Sequence, residues 1–208
     1  MPRAGYSRGR GVPSEDEMGM LMIEVSGETR RFLTAPGVFS WKRLDRGTSL
    51  LLNTLLREWK DNPPERVMDL GCGYGPIGII LATEFPNIQV IMTDVNERAV
   101  WLARRNAELN DVRDRVDVRE GPFYEPVRGE TFDAIVTNPP VREGMHALER
   151  IVREAPTVLK DDGSLWMVVR KKQGANRVLE LLKDTFEGAR IAARGSGYRV
   201  LVGETPKG

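Results

Sequence analysis

A glycine-rich stretch at residues 66–78 limits the possible folds of this chain more than any other segment. It reads R-V-M-D-L-G-C-G-Y-G-P-I-G: an apolar run that would suit a buried strand ends at Asp69, and a helical pattern begins at Ile77. We interpret it as a strand, a tight turn and a helix. Glycines let the turn adopt positive φ and approach a ligand, and a helix start offers free N–H groups and a favourable dipole. A nucleotide-like ligand is expected at this turn.

The acidic residues around the turn limit which nucleotide-like ligands could bind there. The glycines follow the pattern G-x-G-x-G rather than the G-x-G-x-x-G of dinucleotide sites, and Asp69 in front of them could pair with an ammonium group. Asp94 lies 21 residues after Gly73, the offset at which a carboxylate meets ribose hydroxyls in a doubly wound sheet. The alternative is a glycine-rich connection in another α/β fold, in which Asp69 and Asp94 only cap helices.

The rest of the chain alternates between strand and helix patterns. Further helices are predicted at about residues 48–60, 96–110, 145–159 and 175–186. Thr48 or Ser49 is expected to cap the first of them, and a D-D-G turn should precede an apolar strand at 165–169. An R-G-S-G turn makes the last two strands antiparallel. The fold class is therefore α/β, with a seven-stranded, mostly parallel sheet whose last strand is antiparallel.

The N-terminal part is predicted to contain a tail and a small hairpin. Residues 1–17 lack periodicity and are interpreted as a flexible tail, so the folded domain should cover residues 18–208. Segments 20–25 and 29–33 flank S-G-E and predict a β-hairpin. The hairpin and the loop after it, residues 18–46, are expected to lie over the active site.

Composition excludes several classes of protein. The net charge is only +1, so any nucleic-acid binding must be local. No apolar run reaches the length of a membrane span and the N-terminus lacks a signal-peptide core, which predicts a cytoplasmic protein without membrane association. A single Cys72 and a single His146 exclude an internal disulfide and leave little for a metal site. Oligomeric state is left open.

A cluster of hydrogen-bond acceptors follows the strand predicted at 132–137. Asn138, Pro139 and Pro140 come where open α/β sheets place their ligands. The prolines hold the segment extended and remove two N–H groups, so what remains is mainly the Asn138 side-chain oxygen and two carbonyls. An amino group attached to a base or an amide is planar and a poor nucleophile, because its lone pair is delocalised. Two fixed acceptors on its hydrogens would favour a pyramidal nitrogen and direct the lone pair toward its target. This pattern predicts a site that holds an amino nitrogen and activates it as a nucleophile. His146, near a predicted helix start, is interpreted as a surface residue.

The motifs resemble those of a known family. D-L-G-C-G-Y-G followed by N-P-P resembles class I S-adenosylmethionine-dependent methyltransferases that modify amino nitrogens. L-T-A-P-G-V-F-S at 33–40, L-D-R-G-T-S-L-L-L at 44–52 and N-P-P-V-R-E-G-M resemble the small-subunit ribosomal RNA guanine-N2 methyltransferases, over about residues 20–203. The resemblance implies a Rossmann-like fold, S-adenosylmethionine as cofactor and RNA as partner.

The resemblance also implies roles for particular residues. Asp69, Gly71, Cys72 and Gly73 would surround the methionine part of the cofactor, and Asn138 with Pro139 would hold the target amine. The cofactor-binding set is completed by Asp94 at the ribose, Val95, Pro122 near the adenine, and Phe39 and Asp45 closing the methionine side.

Two departures from the family pattern concern the RNA. Larger members carry an additional N-terminal domain, for which no room is expected here, so RNA docking should use other residues. Many relatives have an aromatic residue after N-P-P, where this chain has Val141. Candidates to stack on the base are Phe39, Trp41, Phe123 and Tyr124. Candidates to contact RNA phosphates are Arg142, Lys171 and Lys172, which could equally be a solvated charge cluster.

The sequence leaves two rival functions open. One is methylation of adenine N6 or of a protein glutamine, against which the missing aromatic residue after N-P-P counts mildly. The other is an inactive fold that only binds RNA, which the intact Asp69, Asp94 and Asn138 make the weaker interpretation.

Overall fold

The structure, a computed structural model, describes residues 11–139 and 144–208. In these ranges the strands are β1 (Gly19–Val25), β2 (Glu28–Thr34), β3 (Arg66–Leu70), β4 (Gln89–Asp94), β5 (Val116–Glu120), β6 (Phe132–Thr137), β7 (Leu159–Arg170), β8 (Phe186–Gly195) and β9 (Tyr198–Pro206). The α-helices are α1 (Arg46–Glu58), α2 (Pro76–Glu84), α3 (Glu97–Leu109), α4 (Gly144–Glu154) and α5 (Ala175–Thr185).

Seven of the described strands form one sheet in the order β5, β4, β3, β6, β7, β9, β8. Pairing is parallel from β5 to β7, whereas β9 is antiparallel to both of its neighbours. The predicted mostly parallel sheet with an antiparallel last strand is confirmed. β1 and β2 pair separately as the predicted antiparallel hairpin.

Helices cover both faces of the sheet. On one face α1, α2 and α3 bury side chains such as Leu51, Ile80 and Leu102. On the other face α4 and α5 bury Ile151 and Leu182. A parallel sheet covered on both sides requires nearly continuous apolar strands, which explains why β3 and β4 carry the apolar runs of the sequence.

One buried asparagine joins the hairpin to the glycine turn. Asn106 on α3 is fully buried, and its side-chain oxygen accepts from Leu33 N at 2.6 Å. Its amide nitrogen donates to Leu33 O at 2.9 Å and to Tyr74 O at 2.8 Å, so its amide is satisfied at both ends. The loop that follows β2 therefore starts beside the glycine turn.

The start of α1 differs from the sequence prediction. Asp45, not Thr48 or Ser49, is the N-cap: its carboxylate accepts from Gly47 N at 2.7 Å and from Thr48 N at 3.2 Å. Aspartate is as good a cap as serine, and here it precedes both hydroxyl residues.

The D-D-G segment also differs from the prediction. It lies inside β7 rather than forming a turn ahead of a shorter strand. The register between β6 and β7 shifts between Phe132 and Ala134, so the extra residues are absorbed as an irregularity within the pairing. The helix predicted to reach residue 159 ends at Glu154, and a 3-10 helix, Ala155–Thr157, follows.

Part of the predicted tail is attached to the domain. Residues 11–17 include a 3-10 helix, Glu15–Glu17, and Arg98 on α3 donates to Gly11 O at 3.2 Å and to Pro36 O at 3.0 Å. Arg98 also forms an ion pair with Glu17 at 3.3 Å. Residues 1–10 of the predicted tail lie outside the described residues.

Two properties of the described residues concern membrane and metal binding. No helix among them is long and apolar enough to cross a membrane. No group of three or more His, Cys, Asp or Glu side chains in the same residues could hold a metal ion. The cytoplasmic location stays a prediction of the sequence.

Candidate active site

The carboxyl ends of three adjacent strands bring together the acidic and amide residues predicted for the site. Asp69 lies at the end of β3, β4 ends at Asp94, and Asn138 directly follows β6. β3 lies between β4 and β6, so the three residues share one edge of the sheet. Gly121, after β5, donates to Asp94 O at 3.0 Å and brings Pro122 to the same edge. Open α/β sheets bind their ligands at this edge.

The N–H groups of the glycine turn are engaged within the protein. Gly71 N and Cys72 N donate to Thr93 O at 2.8 and 2.9 Å. Gly73 N donates to Asp94 Oδ2 at 2.8 Å. These bonds hold the turn against the end of β4, and they leave few donors for a ligand.

Most N–H groups at the start of α2 are also missing or engaged within the protein. Pro76, in the first turn, has no N–H, and Gly78 N donates to Asp69 Oδ2 at 2.9 Å. The N–H groups predicted to be free at this helix start are therefore mostly engaged, and in the described residues Ile77 N is the one in the first turn without an acceptor. The turn instead offers acceptors, the Gly71 carbonyl and Asp69 Oδ1, and among the described residues neither has a donor. An acceptor-rich turn suits a cation better than a phosphate.

Asp69 is a buried carboxyl group with one unsatisfied oxygen. Its side chain is fully buried, and burial raises its pKa to about 7, with a smaller upward contribution from Asp94. A positive group at Oδ1 would favour the ionised form and satisfy the oxygen. The residue therefore fits the ammonium group of a methionine moiety. Its bond to Gly78 N also shows that the alternative of helix capping holds for one of its oxygens.

Space above the turn is kept open by two glycines. Gly71 has φ of +74° and Gly73 has φ of +59°, in the left-handed region that favours glycine. A Cβ at Gly71 would meet no atom within 4 Å, and one at Gly73 would meet only Val38 Cγ1, at 3.9 Å. The turn and Val38 thus border a cradle that side chains would fill. Val38 lies in the L-T-A-P-G-V-F-S motif at 33–40, but it was not among the predicted site residues.

Asp94 connects the glycine turn to the loop before α3. Its Oδ1 accepts from Asn96 N at 2.9 Å. The N-cap of α3 is Asn96, whose side chain accepts from Arg98 N, so the helix-capping alternative does not account for Asp94. A carboxylate oxygen accepts more than one hydrogen bond, which makes ribose hydroxyls compatible with these contacts. Val95 beside it is an apolar residue with 55% of its surface exposed, as a residue that packs on an adenine would be.

The loop after β2 is hydrogen-bonded to the loop before α3. Asn96 Nδ2 donates to Gly37 O at 3.1 Å, and Val38 is buried. Phe39 exposes 56% of its surface, so it is not part of the core. An aromatic ring this exposed, on the residue that follows Val38, is available to a ligand.

Asn138 is held by residues from the start of α1. Its Nδ2 donates to Thr48 Oγ1 at 2.8 Å and to Asp45 Oδ2 at 3.2 Å. An ionised carboxylate can only accept, so the group that faces Asp45 must be the NH2 of the amide. Its Oδ1 is then the acceptor on the other side, and no donor in the described residues reaches it. The network presents an acceptor to the site.

Asp45 is itself held from the far end of the chain. Tyr198 OH donates to Asp45 Oδ1 at 3.2 Å, and Arg170 Nε donates to the same hydroxyl at 2.8 Å. Burial raises the pKa of Tyr198, which keeps its hydroxyl protonated as a donor. Sequence reasoning missed Thr48, Tyr198 and Arg170 as supports of Asn138. They lie far from it along the chain, and of the three only Thr48 falls within a motif, L-D-R-G-T-S-L-L-L at 44–52.

The aromatic candidates for stacking on a base differ in their surroundings. Trp41 is half-buried, with Lys42 Nζ 5.0 Å from its ring centre. The ring of Phe123 packs on the core and is covered by the Arg150 guanidinium at 4.1 Å. Tyr124 is buried and its hydroxyl donates to Ile151 O, so it is unavailable to a ligand.

Other predicted residues fall into three groups. Pro140, Val141 and Arg142 lie outside the described residues. Lys171 and Lys172 are exposed directly after β7, on the catalytic edge. Cys72 is buried and His146 is exposed.

Cys72 does not have the surroundings of a catalytic thiol, and His146 is a surface residue. Burial raises the pKa of the Cys72 thiol well above its usual value, so it is not a nucleophile. His146 lies in the first turn of α4, as predicted.

Comparison with known proteins identifies relatives along most of the chain. A family model described as methyltransferase small domain matches residues 29–202. The uncharacterized protein YbxB of Bacillus subtilis is 37% identical over 173 residues, which make up 82% of this chain and 83% of that protein. Ribosomal RNA small subunit methyltransferase C of Hahella chejuensis is 38% identical over 148 residues, 69% of this chain and 41% of the relative.

A solved structure shows the same fold. The 16S rRNA N2 methyltransferase of T. thermophilus, in complex with AdoMet and guanosine, matches with a TM-score of 0.81 at 24% identity. The match covers 93% of this chain and 51% of that one. The chain thus spans 41% and 51% of the two ribosomal RNA methyltransferases compared here.

The fold, the acceptor-rich turn and the family match together define an S-adenosylmethionine-dependent methyltransferase. The chain belongs to the methyltransferase small-domain family. The predictions of a Rossmann-like methyltransferase fold, of enzymatic methyl transfer and of S-adenosylmethionine as cofactor are confirmed.

The cradle above Gly71 gives a prediction for cofactor binding. Replacing Gly71 by alanine should raise the Kd for S-adenosylmethionine by about tenfold or more, because the added methyl group occupies the cradle. The positive φ should lower the free energy of unfolding by about 1–2 kcal/mol, which leaves the protein folded. Calorimetric titration and thermal unfolding measure the two effects.

Gly129→Ala is the matched control for this change. Gly129 has φ of +82° and also no atom within 4 Å of an added Cβ, but it precedes β6 at the opposite edge of the sheet. It should show the loss of stability without the loss of affinity. Equal losses of affinity in the two variants would contradict the cradle.

The raised pKa of Asp69 predicts that cofactor affinity depends on pH. Below pH 7 the carboxyl group is protonated in the free protein and cannot pair with an ammonium group. The Kd should therefore be about tenfold higher at pH 6 than at pH 8. Asp69→Asn should remove this difference, and comparing the two proteins cancels the titration of the cofactor itself. An unchanged pH profile in the variant would contradict the assignment.

The raised pKa of Asp69 also makes the stability of the unliganded protein depend on pH. Because the pKa is raised, the folded state keeps a proton that the unfolded state releases. The contribution of Asp69 to stability is therefore full below about pH 4 and is lost as the pH rises to about 7.

Proposed function

We propose that this protein transfers a methyl group from S-adenosylmethionine to the exocyclic N2 of guanine in small-subunit ribosomal RNA. The family assignment and two relatives support the proposal. The relative from H. chejuensis is named a ribosomal RNA small subunit methyltransferase, and the T. thermophilus structure is of a 16S rRNA N2 methyltransferase with guanosine.

The observation that carries the proposal is the orientation of Asn138. Asp45 and Thr48 take both hydrogens of its amide, which leaves Oδ1 as an acceptor at the catalytic edge. The exocyclic amine of guanine is a donor whose lone pair is delocalised into the ring. Asn138 Oδ1 and the carbonyl of Pro139 would accept its two hydrogens, favour the pyramidal nitrogen and direct the lone pair for attack.

The remaining residues bind and orient the reactants. Asp69 and the Gly71 carbonyl would hold the methionine ammonium group, and Asp94 would hold the ribose. Val95 and the turn at Pro122 would contact the adenine. When bound, the cofactor supplies an electrophilic methyl group. The amine loses its proton after attack, so the protein needs no strong base.

The target base requires an aromatic partner once it is taken out of its stack. Phe39 suits this role best because its ring is exposed, and Trp41 is the second choice. The face of Phe123 is already covered by Arg150. Phe39 comes directly after Val38, which borders the cradle, so a base stacked on it would lie close to the cofactor.

Analysis of the methylated nucleoside tests the proposal. The protein is incubated with labelled S-adenosylmethionine and unmodified small-subunit ribosomal RNA, and the RNA is digested to nucleosides. We expect the label in N2-methylguanosine. Label in N6-methyladenosine, or label only in protein when ribosomal subunits are supplied, would contradict the proposed substrate.

A further inference from the structure

We infer that the RNA backbone docks on a surface of eight cations at one end of the catalytic edge, next to Asn138. This inference rests on the proposed function and names the part of the protein that holds the substrate. Three segments contribute to this cation surface, residues 40–46, 170–173 and 194–199. Its members are Lys42, Arg43, Arg46, Arg170, Lys171, Lys172, Arg194 and Arg199.

These cations have no acidic partner within residues 11–139 and 144–208. In the described part of the chain none of the eight forms an ion pair, whereas 12 of the other 19 lysines and arginines there do. Seven of the eight are exposed and Arg199 is half-buried. Cations left unpaired on one surface, while most others are paired, indicate an anionic partner from outside the chain.

The three segments meet at the residues that hold Asn138. Tyr198 OH lies between Arg170 Nε at 2.8 Å and Asp45 Oδ1 at 3.2 Å, and Asp45 accepts from the Asn138 amide. Lys171 N donates to a carbonyl of the turn between β8 and β9 at 2.8 Å. The cation surface is therefore continuous with the catalytic network rather than scattered over the protein.

The distribution of charge favours RNA as the occupant. Asp45 is the single acidic residue in the three segments, so together they carry a charge of +7. The whole chain has a net charge of +1, which leaves −6 on the rest of the protein. A polyanion would be drawn to the catalytic edge and repelled elsewhere. Phosphate contacts position the RNA, and the exposed ring of Phe39, directly before the first segment, can take a base.

Two fourfold variants with equal loss of charge test the inference. The surface variant is Arg43→Gln, Arg46→Gln, Lys171→Gln and Lys172→Gln. The control variant is Arg31→Gln, Lys60→Gln, Arg128→Gln and Arg153→Gln, which removes exposed, unpaired cations outside the three segments. Lys60 follows α1, about 20 Å along the helix from Arg46.

The readout is the affinity for transcribed small-subunit ribosomal RNA over a series of salt concentrations. The surface variant should bind at least about tenfold more weakly, with a salt dependence of log Kd reduced by about 3. The control variant should stay within about threefold of the wild type with an unchanged slope, and both should bind S-adenosylmethionine normally.

The possible outcomes separate this inference from the proposed function. Wild-type RNA affinity and slope in the surface variant, or equal losses in both variants, would overturn the cation surface even if N2-methylguanosine forms. Loss of binding confined to the surface variant supports the cation surface, even if another nucleoside carries the label and the proposed reaction is wrong.

Discussion

Replacing Asn138 by alanine should lower the rate of methyl transfer by about 100-fold or more and leave S-adenosylmethionine affinity close to that of the wild type. The variant loses the side-chain acceptor for the target amine, an interaction that acts on the reacting nitrogen. The fold should tolerate the change, since Asp45 keeps its bonds to Gly47 N, Thr48 N and Tyr198 OH. Single-turnover rates at saturating cofactor and RNA measure the effect.

His146→Ala is the control for the same assay. His146 is exposed in the first turn of α4, shortly after the N-P-P segment, and no base is required of it. Its rate should remain within about twofold of the wild type. A near-normal rate in Asn138→Ala, or a comparable loss in His146→Ala, would refute the role given to the amide.

Replacing Asp45 by alanine should affect both stability and rate. The free energy of unfolding should fall by about 1 kcal/mol, because α1 loses its N-cap. The transfer rate should fall by roughly 10- to 100-fold, because the Asn138 amide loses a charged partner that sets its orientation. Chemical denaturation and single-turnover rates measure the two losses separately.

Asp45→Ser separates these two roles of the carboxylate. Serine caps a helix about as well as aspartate, but its shorter side chain does not reach both Asn138 and Tyr198. This variant should recover the stability of the wild type and keep the low rate of Asp45→Ala. Recovery of the rate together with the stability would mean that Asp45 acts only as a cap.

Local patterns, each contained in one short segment of the sequence, predicted most of the fold. The apolar runs at β3, β4 and β6 are continuous because both faces of the sheet are covered, and G-x-G-x-G together with N-P-P located the ends of two of those strands. The antiparallel pairing of β8 and β9 was predicted from the tight R-G-S-G turn between them, whereas no pattern in the sequence gave the order of the strands in the sheet.

Contacts between distant segments could not be predicted in this way. Tyr198 lies 153 residues from Asp45, and no local pattern records that the two meet. The prediction of free N–H groups at the start of α2 did not include the bond from Gly78 N to Asp69, because the motif does not reveal that this carboxylate turns back to the helix. Which cations are unpaired likewise depends on what each helix and strand packs against.

The most direct test of the account is the structure of this protein with S-adenosylhomocysteine and guanosine. We expect the guanine N2 within about 2.7–3.2 Å of both Asn138 Oδ1 and the Pro139 carbonyl, with the Asn138 NH2 still on Asp45 and Thr48. A complex in which the amine contacts neither acceptor, or in which the Asn138 amide turns its NH2 toward the base, would contradict the proposed function.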